Sequence, residues 1–205
     1  MKKLLLTAAI AVTVTGCANR PIETVSDHPV NADLVEKVFI GVPVMLSAEG
    51  STVRLNEEWV LTVAHNWPIL VGRDVYYHPE CDFALVRDSG EGKATTDYAY
   101  FGETVYMTGY PLAMPFTVTK GDVIHDFVYE ADKCLYTAID STMIKGMSGG
   151  GVFDSDGNLV GVNVGWADGL ITWPDGRSYH NPALMMTIAA MEEWIEEITG
   201  YDVLD

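Results

Sequence analysis

The sequence predicts an all-β protein: two small antiparallel barrels followed by one C-terminal helix. Three observations predict it. Short runs rich in Val, Leu, Tyr and Phe recur along the chain, and Gly, Asn, Pro or Asp-Ser separates them. A helical period appears convincingly only from Pro182 onward. The strand–helix alternation that a parallel sheet requires is missing. With 205 residues, 48% hydrophobic and 20% charged, the chain is long enough for two halves sharing a core.

The first residues read as an address. Lys2 and Lys3 precede the uncharged, mostly apolar run Leu4 to Val14, and Val14-Thr15-Gly16-Cys17 follows. The uncharged stretch falls short of the roughly 20 apolar residues that cross a bilayer, so residues 1–16 read as a signal peptide. The Gly16-Cys17 box resembles a bacterial lipoprotein signal, which implies lipidation at Cys17 and cleavage before it. Ala18 after the Cys resembles outer-membrane sorting, so the expectation is an exported chain anchored to the cell envelope and facing the periplasm. An ordinary signal peptide that happens to carry a Cys is the alternative. Membrane contact is then expected through the N-terminal lipid only. Residues 17–34, polar and marked by Pro21 and Pro29, read as a tether.

Barrel one is expected over about 35–100. Its strands are Val38 to Leu46, Thr52 to Leu55, Trp59 to Ala64, Val75 to His78 and Phe83 to Arg87. Barrel two is expected over about 101–180, from Thr104 to Gly109, Phe116 to Ile124, Leu135 to Ile139, Gly150 to Phe153, Leu159 to Val164 and Leu170 to Trp173. Asp154-Ser-Asp-Gly-Asn158 is a hairpin turn. The helix is expected over 182–199, with Leu184, Ile188, Met191, Ile195 and Ile198 on one face. Asn181 would be its N-cap, Pro182 its first residue and Gly200 the residue after its end.

Twelve basic against 29 acidic residues give a net charge of −17. That balance argues against a nucleic-acid partner, because the phosphate backbone calls for surplus Lys and Arg. Cys81 and Cys134 remain after Cys17. Export permits a disulfide between them, and two buried thiols are the other reading. His28, His78, His125 and His180 do not cluster with cysteines at metal spacing, and Asp154, Asp156 and Asn158 lack the closing Glu of a calcium loop. No metal and no cofactor is expected. Trp166 and Trp173 read as core or cleft wall.

Three segments carry chemistry. In Trp59-Val-Leu-Thr-Val-Ala-His65-Asn66 an apolar strand delivers a His to its end. In Cys81-Asp82-Phe83-Ala84-Leu85 an Asp stands at the mouth of an apolar strand. In Lys145-Gly146-Met147-Ser148-Gly149-Gly150-Gly151 a Ser lies in a glycine-dense loop. A serine hydroxyl is a weak nucleophile until an imidazole takes its proton, and a carboxylate must hold that imidazole in one tautomer. Glycines let backbone N–H groups, here those of Gly146 and Ser148, point at a developing oxyanion. Asp74 and Asp88 are alternative carboxylates, though neither begins an apolar strand.

Thr62-Val-Ala-His65, Asp82-Phe-Ala-Leu and Gly146-Met-Ser148-Gly-Gly resemble the three catalytic boxes of the chymotrypsin/trypsin-like serine proteases. Val118-Thr-Lys-Gly-Asp-Val and Leu159-Val-Gly-Val-Asn163 are closer to the bacterial Deg-type branch. The resemblance covers roughly Val38 to Trp166 and the terminal helix. It implies two six-stranded barrels over 35–205 with a serine endopeptidase site in the cleft between them, acting on protein or peptide substrates. His65 and Asp82 would come from the first barrel and Ser148 from the second, and the oligomeric state stays open. In the same frame Thr142 lies at the base of the S1 pocket, with Val162, Asn163 and Val164 along its wall. No fixed charge appears there, so uncharged P1 residues of small to medium size are expected; Lys145 is the alternative selector, for acidic P1.

The sequence departs from the family pattern. Met147 replaces the usual Asp or Asn, and His65 and Asp82 lie only 17 residues apart. The PDZ domain of Deg-type proteases is not expected after the helix. Two rival readings are an inactive relative serving as a binding module, and a serine esterase of the α/β-hydrolase kind. The esterase needs a helix directly after the Ser and partners in the order Asp then His, and Ser148 meets neither condition.

Overall fold

The structure is a computed structural model and describes residues 17–42, 46–112, 114–129 and 132–204. The chain is mostly β, with a closed six-stranded barrel, a second sheet and one C-terminal helix: a chymotrypsin-like fold. The predicted signal peptide lies outside the described residues.

The N-terminal sheet contains β1 (Val35–Val42), β2 (Leu46–Arg54), β3 (Trp59–Thr62), β4 (Asp74–Tyr77) and β5 (Ala84–Arg87), in the order β1-β2-β3-β5-β4. Among the described residues this half is a five-stranded sheet, not the closed six-stranded barrel expected. The run Val38 to Leu46, read as one strand, holds the end of β1 and the start of β2, which pair antiparallel. Gly41 and Pro43 lie within this run and are the punctuation that separates strands elsewhere in the chain, but the apolar residues around them mask it.

The second half forms the closed barrel from β6 (Thr104–Gly109), β7 (Thr117–Val128), β8 (Leu135–Ile139), β9 (Gly151–Phe153), β10 (Leu159–Trp166) and β13 (Ala183–Thr187). A separate hairpin pairs β11 (Leu170–Thr172) with β12 (Ser178–His180). The turn at Asp154 is built as expected: its Oδ1 accepts from the N–H groups of Asp156 and Asn158, and its Oδ2 from the Asn158 amide.

The helix α1 spans Ile188–Thr199, six residues shorter at its start than expected. Residues 183–187 instead add β13 to the barrel between β10 and β8. The cap is Thr187, whose hydroxyl accepts from the Ala190 N–H, and Gly200 closes the helix at φ +68°. Asn181, expected as the cap, sits at φ +48° in a turn. The correction has a physical cause. Ala183 to Met186 is a short apolar stretch whose pattern suits either element, and two unpaired barrel edges make it a strand.

Residues 17–21 correct the tether reading. Ala18 forms a β-bridge with Ile144, Asn19 is 6% exposed, and the Arg20 guanidinium meets Asp140 at 2.5 Å. Polar composition here reflects hydrogen bonding to the barrel.

One core joins the halves. Val53, Leu61, Phe83 and Leu85 of the sheet pack with Phe153, Leu159, Val162 and Met186 of the barrel, and with Ile188 and Ile195 of α1. A second cluster fills the barrel, with Met107, Met143 and Met147 among its fully buried members. Met147 is therefore a core side chain, which explains why no carboxylate stands there.

Candidate active site

The 3₁₀ turn Ala64–Ile69 follows β3 and presents His65 at the end of a fully buried strand. Asp82 stands just before β5, the strand paired with β3, so register brings the two together. The His65 Nδ1 lies 2.6 Å from Asp82 Oδ2, and the His65 backbone N–H donates to Asp82 Oδ1 at 2.8 Å. The same carboxylate thus holds the ring and the main chain of one residue. Asp88 instead pairs with Arg73 at 3.1 Å, and Asp74 begins β4. Of the three carboxylates considered, Asp82 is the one that His65 meets.

Ser148 lies in the loop between β8 and β9. Its carbonyl accepts from the Ser51 N–H at 2.9 Å and from the Asn66 amide at 3.1 Å, so the first half of the fold grips the loop of the second. Its hydroxyl donates to the Val164 carbonyl at 3.0 Å. The structure does not join Ser148 and His65 by a hydrogen bond.

The preceding residues form a type II turn over Ile144–Met147. The Met147 N–H donates to the Ile144 carbonyl at 3.0 Å, and Gly146, third in the turn, has φ +99°. A Cβ there would also lie 2.6 Å from the Tyr110 carbonyl, so only Gly fits. The Lys145 carbonyl accepts from the Leu112 N–H at 3.0 Å. In a trans peptide the N–H points opposite to the C=O, so the Gly146 N–H faces away from Leu112. Among the described residues neither the Gly146 nor the Ser148 N–H donates to a protein acceptor. Gly149 is equally constrained, because a Cβ there would lie 2.1 Å from the Ser51 carbonyl.

The residues expected around S1 are all near this loop. Thr142 is buried and its hydroxyl donates to the Pro21 carbonyl at 3.1 Å. Val162 is fully buried in β10. The Asn163 amide donates to the Thr108 carbonyl at 2.7 Å, and its Oδ1 is buried without a partner among the described residues. Val164 receives the Ser148 hydroxyl. An apolar cleft of about 620 Å³ opens beside Val164, walled by Phe127, Tyr136, Trp166, Ile171 and Trp173. Of the two roles the sequence left open for Trp166 and Trp173, core or cleft wall, the structure gives the second.

Cys81 and Cys134 form a disulfide, resolving the alternative the sequence leaves open. It joins the turn before Asp82 to the strand entry at β8. On the other side of that turn, His78 Nδ1 accepts from the Cys81 N–H at 2.9 Å and the Glu80 N–H at 3.2 Å. Burial holds the His78 pKa below its ordinary 6.5, and the nearby Glu80 carboxylate opposes this in part. The folded state therefore takes up this proton at lower pH than the unfolded chain. The contribution to stability is fully present above about pH 6.5 and is lost as pH falls through the lower folded value. Unfolding measured between pH 7 and pH 5 should show a loss that His78→Asn reduces, since Asn can accept through Oδ1 but does not titrate. Equal pH slopes for the two proteins would contradict this role.

Ser51, Asn66 and the Val164 carbonyl went unnoticed in the sequence. Asn66 carried a signal, as the neighbour of His65 in the same turn. Ser51 carried none: its N–H serves Ser148, its hydroxyl donates to the Gly146 carbonyl at 2.8 Å and accepts from the Tyr110 N–H at 2.9 Å, and all of these partners are distant in sequence.

The trypsin-like peptidase domain matches residues 44–162, more than half of the chain. The chain belongs to that family. Solved structures with the same fold include the active form of the Rv3671c protease of M. tuberculosis. It is 18% identical, with a TM-score of 0.62 over 88% of this chain and 93% of that one. The HtrA-type protease AlgW with a tripeptide is 21% identical, with a TM-score of 0.62, over 82% of this chain and 61% of AlgW. The chain thus spans less than two thirds of AlgW. The MamO protease domain of Magnetospirillum magneticum, in its apo form, is 16% identical with a TM-score of 0.56, over 78% of this chain and 95% of that domain. No curated protein matches the sequence. The family match and the shared fold are those of trypsin-like peptidases.

Proposed function

We propose that the chain is an envelope-anchored serine endopeptidase working through an acyl-enzyme. The observation that carries this reading is the His65–Asp82 pair, joined through Nδ1 so that Nε2 stays available for the serine. Ser148 Oγ leaves the Val164 carbonyl, gives its proton to His65 Nε2 and attacks the scissile carbonyl. The oxyanion is bound by the N–H groups of Gly146 and Ser148. His65 then passes the proton to the leaving amine, and water repeats the sequence to release the acid. Deg-type kinship, lipidation at Cys17 and a periplasm-facing outer-membrane location belong to the same proposal and rest on the sequence motifs.

A second reading, an inactive relative acting as a binding module, draws on the Ser148 hydroxyl being bound to Val164. A fluorophosphonate probe separates the two. The wild type should be labelled and Ser148→Ala should not; an unlabelled wild type would favour the binding module.

Substrate choice is expected to follow the neutral pocket. A charged P1 side chain entering it unpaired costs about 2–7 kcal/mol or more, whereas one methylene discriminates by about 1–3 kcal/mol. A peptide-library profile should therefore show Val, Ala, Thr or Leu at P1 with modest selectivity. Dominance of Arg and Lys, or of Glu, would contradict this, and the latter would implicate Lys145.

A further inference from the structure

The turn that carries Gly146 is held from one side by the N-terminal residues. The Lys145 N–H donates to the Cys17 carbonyl at 2.7 Å, while its C=O is held by Leu112. The bond from Cys17 holds the Ile144–Lys145 peptide and the bond from Leu112 holds the Lys145–Gly146 peptide, so the strap anchors the Lys145 pivot about which the second plane would turn. Rotating that plane by half a turn interconverts type II and type I turns, and Gly at the third position permits both. The rotation would point the Gly146 N–H away from the reacting carbonyl.

Asn19 is what seats this N-terminal segment. Its side-chain amide donates to the Ser141 carbonyl at 3.0 Å and the Asn181 carbonyl at 2.8 Å, and its Oδ1 accepts from the Met143 N–H at 2.8 Å. Its own N–H donates to the Met143 carbonyl at 3.1 Å, and its carbonyl accepts from the Asn181 amide at 3.1 Å. Two residues on, the Pro21 carbonyl receives the Thr142 hydroxyl. A 6% exposed Asn with every polar group engaged is costly to disturb, because removing it leaves several buried partners unpaired.

We propose that Cys17–Pro21 is a positioning strap for the oxyanion turn, with Asn19 the residue that seats it. This rests on the endopeptidase reading above. Asn19 does not touch substrate; it acts through Met143 and the Lys145 backbone.

The test compares the full-length chain with Asn19→Ala and Asn181→Gly. The latter removes the amide bonded to the Asn19 carbonyl while allowing the left-handed backbone at 181, and serves if Asn19→Ala fails to fold. Well below the unfolding temperature, both variants should lower kcat with KM within about twofold. Losing one oxyanion donor outright costs about 10²–10³ in kcat, so a loosened donor should cost about tenfold. Hydrogen exchange at the 143–147 amides should accelerate in both. Wild-type kcat in the folded variants, whether or not exchange rises, overturns the strap and leaves the endopeptidase reading intact. A wild type that neither cleaves peptides nor takes the fluorophosphonate defeats the underlying reading, and the strap's role in turnover with it.

Discussion

Replacing Asp82 by Asn is expected to lower kcat by about 10⁴-fold while the fold persists. The geometry dictates the direction. The His65 N–H donates to Asp82 Oδ1, and the ring Nδ1 faces Oδ2. In the Asp82→Asn variant only one atom of the side chain can accept, and the His65 backbone N–H cannot turn to suit it. The amide oxygen must therefore face the main chain, which leaves the NH₂ facing Nδ1. The imidazole must then carry its proton on Nε2, where the base is needed, and the serine loses its acceptor. Measured kcat with a susceptible peptide, beside an unfolding curve for each protein, checks this. Near-normal turnover in Asp82→Asn, or a comparable loss in Asp74→Ala, would move the carboxylate role away from Asp82.

Much of this arrangement was readable in the sequence because it depends on local rules. An apolar strand ending in His, an Asp at a strand mouth and a glycine-dense Ser loop each occupy a few residues, and strand pairing between β3 and β5 brings the first two together. Trp166 and Trp173, read from sequence as core or cleft wall, line the cleft beside Val164. What escaped depends on distant partners. The start of α1 could not be set from Pro182 because the strand Ala183–Thr187 exists only through its pairing with β10 and β8. Met147 looked like a departure from a polar pattern, and its meaning emerges only in the barrel core. Asn19 lies in a polar stretch where composition suggests solvent, yet its partners are 122 and 162 residues away. Ser51 acts in part through a backbone N–H, which every residue but proline possesses.

The second large effect is expected from removing the disulfide. Cys81 and Cys134 lie 53 residues apart, and both are buried in the core shared by the two halves. Chain entropy alone assigns such a closure about 4 kcal/mol. For a chain of this length that corresponds to a fall in unfolding temperature of about 8–16 °C. The bond also does something a bond elsewhere would not. It fixes the residue immediately before Asp82 to the entry of β8, while His78 holds the same Cys81 through its N–H. Loosening that turn should let the carboxylate drift from His65, and a misplacement of about 1 Å is enough to cost about 10²-fold in turnover. A Cys81→Ala/Cys134→Ala double variant should therefore unfold earlier and also show reduced kcat at temperatures where it is fully folded. The reduced wild type should match it on both counts. A variant that loses stability but keeps wild-type kcat when folded would confine the disulfide to stability and leave the placement of Asp82 to strand pairing and His78 alone.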